Sequence, residues 1–289
     1  MSPKSTLTPR TRRSRPVRLL PSIITILALC AGLSAVKFAI DGDLGFAIAA
    51  IAAAGVLDTL DGRLARMLNA TSKMGGELDS LADAISFGVA PALVLYVSLL
   101  EGSRGGWVIA LIYVVAIVLR LARFNTLAAD TSRPPYTRDY FVGVPAPAGA
   151  IIALLPIALL EQFGDGWWAG YYPVAAWTVF SAALIVSTIP TLAMKSASVP
   201  PQKAVGLLVL VALAAALLVT FPYVLMIIMV AVYLVHIPFA IRSQRWVAAR
   251  PETWEHKPSE RRAQRRAIRR APNAHRSAAR LGLRRPGPR

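Results

Sequence analysis

The sequence predicts an all-α polytopic membrane protein, and three observations predict it. The 289-residue chain is 55% hydrophobic, with a mean hydropathy of +0.53. Apolar runs of about 20 residues, enough for a helix to cross a bilayer core, recur along it. Short polar breaks separate these runs. With no water in the core, each spanning segment must satisfy its own backbone groups, and helices do so.

About eight transmembrane helices are expected. The first, Leu20–Ile40, ends at the break Asp41-Gly42-Asp43. The second is Leu44–Ala65 and the third Glu77–Leu100, joined by a turn over Asn69–Gly76. The break EGSRGG (Glu101–Gly106) precedes the fourth, Trp107–Ala122. The fifth, Phe141–Leu160, opens on "FVGVPAPAGA", whose Gly and Pro either shape a pocket or kink the helix. The break EQFGDG (Glu161–Gly166) precedes the sixth, Ala169–Ile189. Only a tight turn at Phe221-Pro222 divides the seventh, Ala204–Phe221, from the eighth, Pro222–Ile241. The chain thus divides into a basic N-terminal segment (1–19), a transmembrane domain (20–241) and a basic C-terminal tail (242–289). The first apolar run is long for a signal peptide and no small-residue cleavage site follows it, so no cleavable leader is expected. Cys30, the single cysteine, lies inside the first run and reads as a buried apolar residue.

The net charge of +17 is distributed unevenly. With loops assigned alternately to two sides, one side carries 30 of the 32 Lys and Arg, and the other carries only Lys37 and Arg104. The positive-inside rule places both termini in the cytoplasm, in a multi-pass protein of the plasma membrane. Trp107, Trp167 and Trp168 then fall at the outer boundary, as belt aromatics do. In the tail, Arg261/Arg262, Arg265/Arg266 and Arg269/Arg270 repeat every four residues. That repeat reads as a stripe lying on anionic lipid or as a solvated tail. No aromatics interleave it, so nucleic acid is not an expected partner.

The stretch "GVLDTLDGRLARMLNATSKMGGELDSLADAISFG" sets acids where apolar helices meet. Asp58 and Asp61 are i, i+3 on one helix; Asp79 and Asp83 are i, i+4 on the next. Helix rise places Asp58 and Asp83 about 21–26 Å from the far ends of their segments, just inside the cytoplasmic boundary. Two antiparallel helices can bring all four carboxylates together. Unit charges 4 Å apart repel by about 4 kcal/mol at an effective dielectric of 20. Arg63, Arg66 and Lys73 are expected to supply part of the counter-charge, and divalent cations the rest. An all-oxygen ligand set suits Mg²⁺ or Mn²⁺. Small residues at Gly62 and Ala65 beside Arg66 leave room for a diphosphate or for a packed helix. A divalent-cation transporter would also place Asp in membrane helices. It would need polar groups continuing across the bilayer, whereas the outer halves of these two segments are Leu, Ile, Ala and Val.

The spacing Asp58-x2-Asp61-Gly62-x2-Ala65-Arg66-x8-Gly75-x3-Asp79-x3-Asp83 resembles, without a gap, the signature of CDP-alcohol phosphatidyltransferases. "GGELDSLADAISFGVAPA", "LRLARFN" and "FVGVPAPAGA" look like the serine-accepting branch of that family, of actinobacterial type. The likeness runs through the "VHIPFAIRSQRW" exit from the last helix; Ser22 stands where many members carry Asn. The resemblance implies the family's helical bundle, with the transmembrane domain catalytic. It implies transfer of the phosphatidyl group of CDP-diacylglycerol to L-serine, giving phosphatidylserine and CMP, in a homodimer among membrane lipids. By resemblance, Asp58, Asp61, Asp79 and Asp83 form a two-metal site for Mg²⁺ or Mn²⁺, with Asp83 also the base. Gly62, Ala65, Arg66, Ser72 and Gly75 match positions around the CDP group, and Pro21, Ser22, Ile23 and Ile24 match a segment bordering the nucleotide lipid. The common signature does not choose the acceptor: glycerol 3-phosphate and inositol phosphate remain alternatives. Arg120 and Arg123, ending the fourth segment at the same face, either fork onto serine's carboxylate or anchor the helix end.

Overall fold

The computed structural model describes residues 19–130, 140–192 and 204–251, with positions 134, 137, 254, 260 and 261. The basic N-terminal segment, Arg138, Lys195, Lys203 and the arginine repeat beyond Arg261 lie outside the described residues. Helices α1 (Leu20–Ile40), α2 (Leu44–Met67) and α3 (Lys73–Asp83) come first. A π-helical turn (Ala84–Val89), α4 (Ala90–Leu95) and a second π turn (Tyr96–Leu100) continue the α3 span. Then follow α5 (Arg104–Ala129), β1 (Tyr140–Val142), α6 (Ala146–Ala153), α7 (Leu155–Phe163), α8 (Tyr171–Val186), β2 (Pro190–Leu192), α9 (Ala204–Thr220) and α10 (Pro222–Ala248).

The protein is an all-α, multi-pass membrane protein. Helix occupies each of the eight apolar segments read from the sequence. Among the described residues, five are long and apolar enough to cross a membrane, or six if α6 and α7 count as one bent span. The apolar helices α8 (16 residues) and α9 (17 residues) are shorter.

Several boundaries differ from expectation for local reasons. The third segment starts at Lys73 because Ser72 caps it: the Gly75 N–H donates to Ser72 Oγ at 2.9 Å. The fifth segment is not one helix. Gly143, at φ +77°, turns the chain after β1, and α6 and α7 meet at a 41° bend beside Pro156. A Cβ on Gly143 would lie 2.6 Å from the Ile185 carbonyl oxygen and 2.8 Å from that of Ser187. β1 pairs antiparallel with β2, joining the entry of α6 to the exit of α8. The eighth helix runs on to Ala248 despite Pro238.

Small residues set the packing around the site. Ala28, Gly32 and Ala35 of α1, with Ala47 and Ala54 of α2, are buried, which lets the backbones approach closely. A Cβ on Gly32 would lie 2.6 Å from Ser86 Oγ, so the first π turn rests directly on α1. That turn closes through longer rings than an α-helix does. One of its carbonyls has a partner on α5: the buried Tyr113 hydroxyl donates to the Phe87 oxygen at 3.1 Å. Cys30 is exposed on α1 rather than buried, so it faces whatever surrounds the bundle.

Candidate active site

Four acids converge where α2 ends and the α3 span begins. Asn69, in the left-handed region at φ 51°, helps reverse the chain between them. One carboxylate oxygen each from Asp58, Asp61 and Asp79 lies within 4.8 Å of the other two. Asp83 is not in that trio, but its carboxyl is within hydrogen-bonding reach of Asp58, which also reaches Asp79. Asp61 is the most enclosed, at 4% exposure.

The expected protein counter-charge is not in place. Arg63, Arg66 and Lys73 are exposed. Among the described residues, no Lys or Arg forms an ion pair with these four acids. The cation within electrostatic range is Arg120, which faces Asp83 and Asp58 from α5. Three convergent carboxylate oxygens with no ion-paired base fit a divalent cation, and the all-oxygen donor set suits a hard one.

Thr25 was not read from the sequence. Its Oγ1 donates to Asp61 Oδ2 at 2.5 Å, and both side chains are buried. The available signal was weak: Thr25 is one of three hydroxyl residues in a mostly apolar helix, with Ser22 and Ser34, and lies next to the Pro21–Ile24 segment. Within that segment Pro21 is buried, its carbonyl 3.1 Å from Thr25 Oγ1, while Ile23 is exposed and Ser22 and Ile24 are half-buried. Thr25 therefore ties the start of α1 to an acid on α2.

Along α2, Gly62 faces open space: no atom lies within 4 Å of where its Cβ would be. The protein's own packing thus does not require glycine there. Ala65 is half-buried beside it and Arg66 is exposed one turn on. Ser72 and Gly75 pair with each other at the α3 cap, leaving the Ser72 hydroxyl proton available.

The two α5 arginines separate. Arg123 donates to the Val186 and Ser187 carbonyls, at 2.5 and 3.3 Å, and so serves the open end of α8. Arg120 lies within electrostatic range of Asp83 and Asp58, is 7% exposed, and has its guanidinium carbon over the Phe124 ring at 5.6 Å. Asn125 Nδ2 donates to Ser80 Oγ at 3.1 Å, linking α5 to α3 between Asp79 and Asp83. At the other end of the bundle, the Gly42–Phe46 stretch, Glu161 and Tyr223 line one cavity of about 410 Å³. Tyr223 donates to Glu161 there.

Comparison with known proteins bears on this geometry. The family model for CDP-alcohol phosphatidyltransferase matches residues 18–189. The chain is 52% identical over 279 residues to the CDP-diacylglycerol–serine O-phosphatidyltransferase of Mycobacterium tuberculosis, covering 96% of this chain and 98% of that one. It is 50% identical to the protein of the same name from Mycobacterium leprae, covering 97% and 94%. It is 28% identical over 189 residues to the archaetidylserine synthase of Methanothermobacter thermautotrophicus, covering 65% and 72%.

Proposed function

The chain belongs to the CDP-alcohol phosphatidyltransferase family, and on that premise we propose that it transfers the phosphatidyl group of CDP-diacylglycerol to the hydroxyl of L-serine. The products are phosphatidylserine and CMP. The observation that carries the reading is the trio of carboxylate oxygens at Asp58, Asp61 and Asp79, inside the family's signature spacing. The names of full-length relatives at about half identity support serine as acceptor.

In this reading Asp58, Asp61 and Asp79, with Asp83 beside them, would hold Mg²⁺ or Mn²⁺ as a metal pair, which would supply charge neutralisation for the diphosphate. The chain's own residues do the rest. The open face at Gly62 and Ala65 admits the diphosphate against α2, and exposed Arg66 pairs with a phosphate oxygen. Ser72 accepts from Gly75 and so still has a proton to donate to the nucleotide. Pro21–Ile24 borders the nucleotide lipid, its position fixed by Thr25. Arg120 holds serine's carboxylate; Arg123 supports the wall behind it through α8. Asp83 accepts the proton of serine's hydroxyl as its oxygen bonds to the lipid-bearing phosphorus. The bond from that phosphorus to the CMP oxygen breaks, and CMP leaves with the electron pair.

The bias of 30 of 32 basic residues to one side supports a plasma-membrane protein with both termini and the active site cytoplasmic. Resemblance supports a homodimer. The test is a product assay: purified protein, CDP-diacylglycerol and Mg²⁺ or Mn²⁺ with L-serine, glycerol 3-phosphate or inositol phosphate. Phosphatidylserine and stoichiometric CMP are expected with serine alone. Another lipid product overturns the acceptor, and no CMP release with any acceptor overturns the reaction class.

A further inference from the structure

Among the described residues, three buried side-chain polar atoms have no hydrogen-bond partner: Arg120 Nε, the Tyr233 hydroxyl and Trp168 Nε1. Trp168 belongs to the other end of the bundle, beside Trp167 and Phe163. The first two belong together. Arg120 lies within electrostatic range of Tyr233, Asp83 and Asp58, so one neighbourhood holds the phenol, the guanidinium and the acids. Its guanidinium carbon lies over the Phe124 ring at 5.6 Å, and its Nε has no hydrogen-bond partner. Arg120 is itself 93% buried, being 7% exposed. Thr191 of β2 also lies close to the Tyr233 hydroxyl. Its hydroxyl donates to the Gly143 carbonyl at 2.9 Å, and no hydrogen bond of acceptable geometry forms to the phenol.

Buried donors left open are costly, and a site keeps them when a ligand completes them. Two open donors in one neighbourhood, one of them cationic, suit an anionic acceptor of two hydrogen bonds such as a carboxylate. Tyr233 also lies on α10, beyond the residues 18–189 that the family model matches. A group outside the shared catalytic core is where members using different alcohols can differ.

We propose that Tyr233 is an acceptor-specificity residue: its hydroxyl and the Nε edge of Arg120 together bind the carboxylate of the amino-acid acceptor, which sets the acceptor's hydroxyl toward Asp83. This rests on the reading of the protein as a serine-accepting transferase. Glycerol phosphate or inositol phosphate, with a tetrahedral dianion, fits one arginine edge and one phenol poorly.

Tyr233→Phe removes the hydroxyl and keeps the ring, so packing of α10 is preserved. The experiment measures steady-state kinetics in both substrates, together with inhibition by L-alanine, which has serine's carboxylate and ammonium but no hydroxyl. The expected result is a KM for serine raised roughly 10- to 100-fold, the cost of one hydrogen bond to a charged group. The alanine inhibition constant rises in parallel, while kcat and the KM for CDP-diacylglycerol hold. An unchanged serine KM and alanine inhibition overturn the assignment. So does a loss confined to kcat or to the lipid KM, which would make Tyr233 structural. Failure of the wild-type protein to form phosphatidylserine in the same assay would instead overturn the reading beneath it.

Discussion

Replacing Thr25 by Val tests whether α1 takes part in the metal site. Thr25 Oγ1 donates to Asp61 Oδ2 at 2.5 Å, and the two residues are 5% and 4% exposed. Water cannot replace the lost donor at such a site. Val has nearly the shape of Thr, so the packing of α1 on α2 survives. A hydrogen bond to a charged acceptor is worth about 1.5–3 kcal/mol, and every 1.4 kcal/mol is tenfold. The expected consequence is a metal requirement raised roughly 10- to 100-fold, the usual cost of losing a partner that orients a metal ligand. The assay is CMP release against Mn²⁺ concentration at saturating CDP-diacylglycerol and serine, with thermal unfolding in the same detergent. Turnover should recover at high metal, and Thr25→Ser, which keeps the donor, should behave as wild type. An unchanged half-saturating metal concentration in Thr25→Val would refute the reasoning. If melting fell while metal dependence stayed put, the contact would be mere packing.

Asp83→Asn should keep CDP-diacylglycerol binding and lose turnover by about 10²-fold or more, because the amide cannot take serine's proton. Equilibrium lipid binding and turnover on one preparation check this, and loss of both together would make Asp83 a metal ligand only. Arg123→Ala should lower thermal stability and leave the serine KM little changed, since its guanidinium serves the Val186 and Ser187 carbonyls; a selective rise in serine KM would return it to the acceptor site. Gly143→Ala should destabilise by about 2–4 kcal/mol, combining a left-handed backbone at φ +77° with overlap onto the Ile185 and Ser187 oxygens. A melting temperature within error of wild type would show that the β1–β2 turn can relax.

Composition, hydropathy and spacing decided a good deal by themselves. Helix was legible in all eight apolar segments because bilayer physics leaves a repeated 20-residue apolar run no other stable form. The acid cluster was legible because i, i+3 and i, i+4 spacing fixes helix faces before any packing is known. Family membership was legible because the signature is contiguous from Asp58 to Asp83. Only the tertiary structure decided which groups answer those acids. Arg63, Arg66 and Lys73 are near them in sequence yet exposed, whereas Arg120 reaches them from 37 residues beyond Asp83. Thr25 and Asp61 are 36 residues apart, and nothing in either segment announces their contact. The break of the fifth segment depends on Gly143 lying against the end of α8. Arg123 was indistinguishable from Arg120 in the sequence, both basic and both at one helix end. Three residues apart on a helix, they lie only about 60° apart on one face, and it is the packed neighbours that divide them: Arg120 lies within electrostatic range of the acids, while Arg123 donates to the carbonyls at the end of α8. Periodicity is local and survives in the sequence; the choice of partner across the bundle depends on which helices touch, and that is settled only when the chain packs.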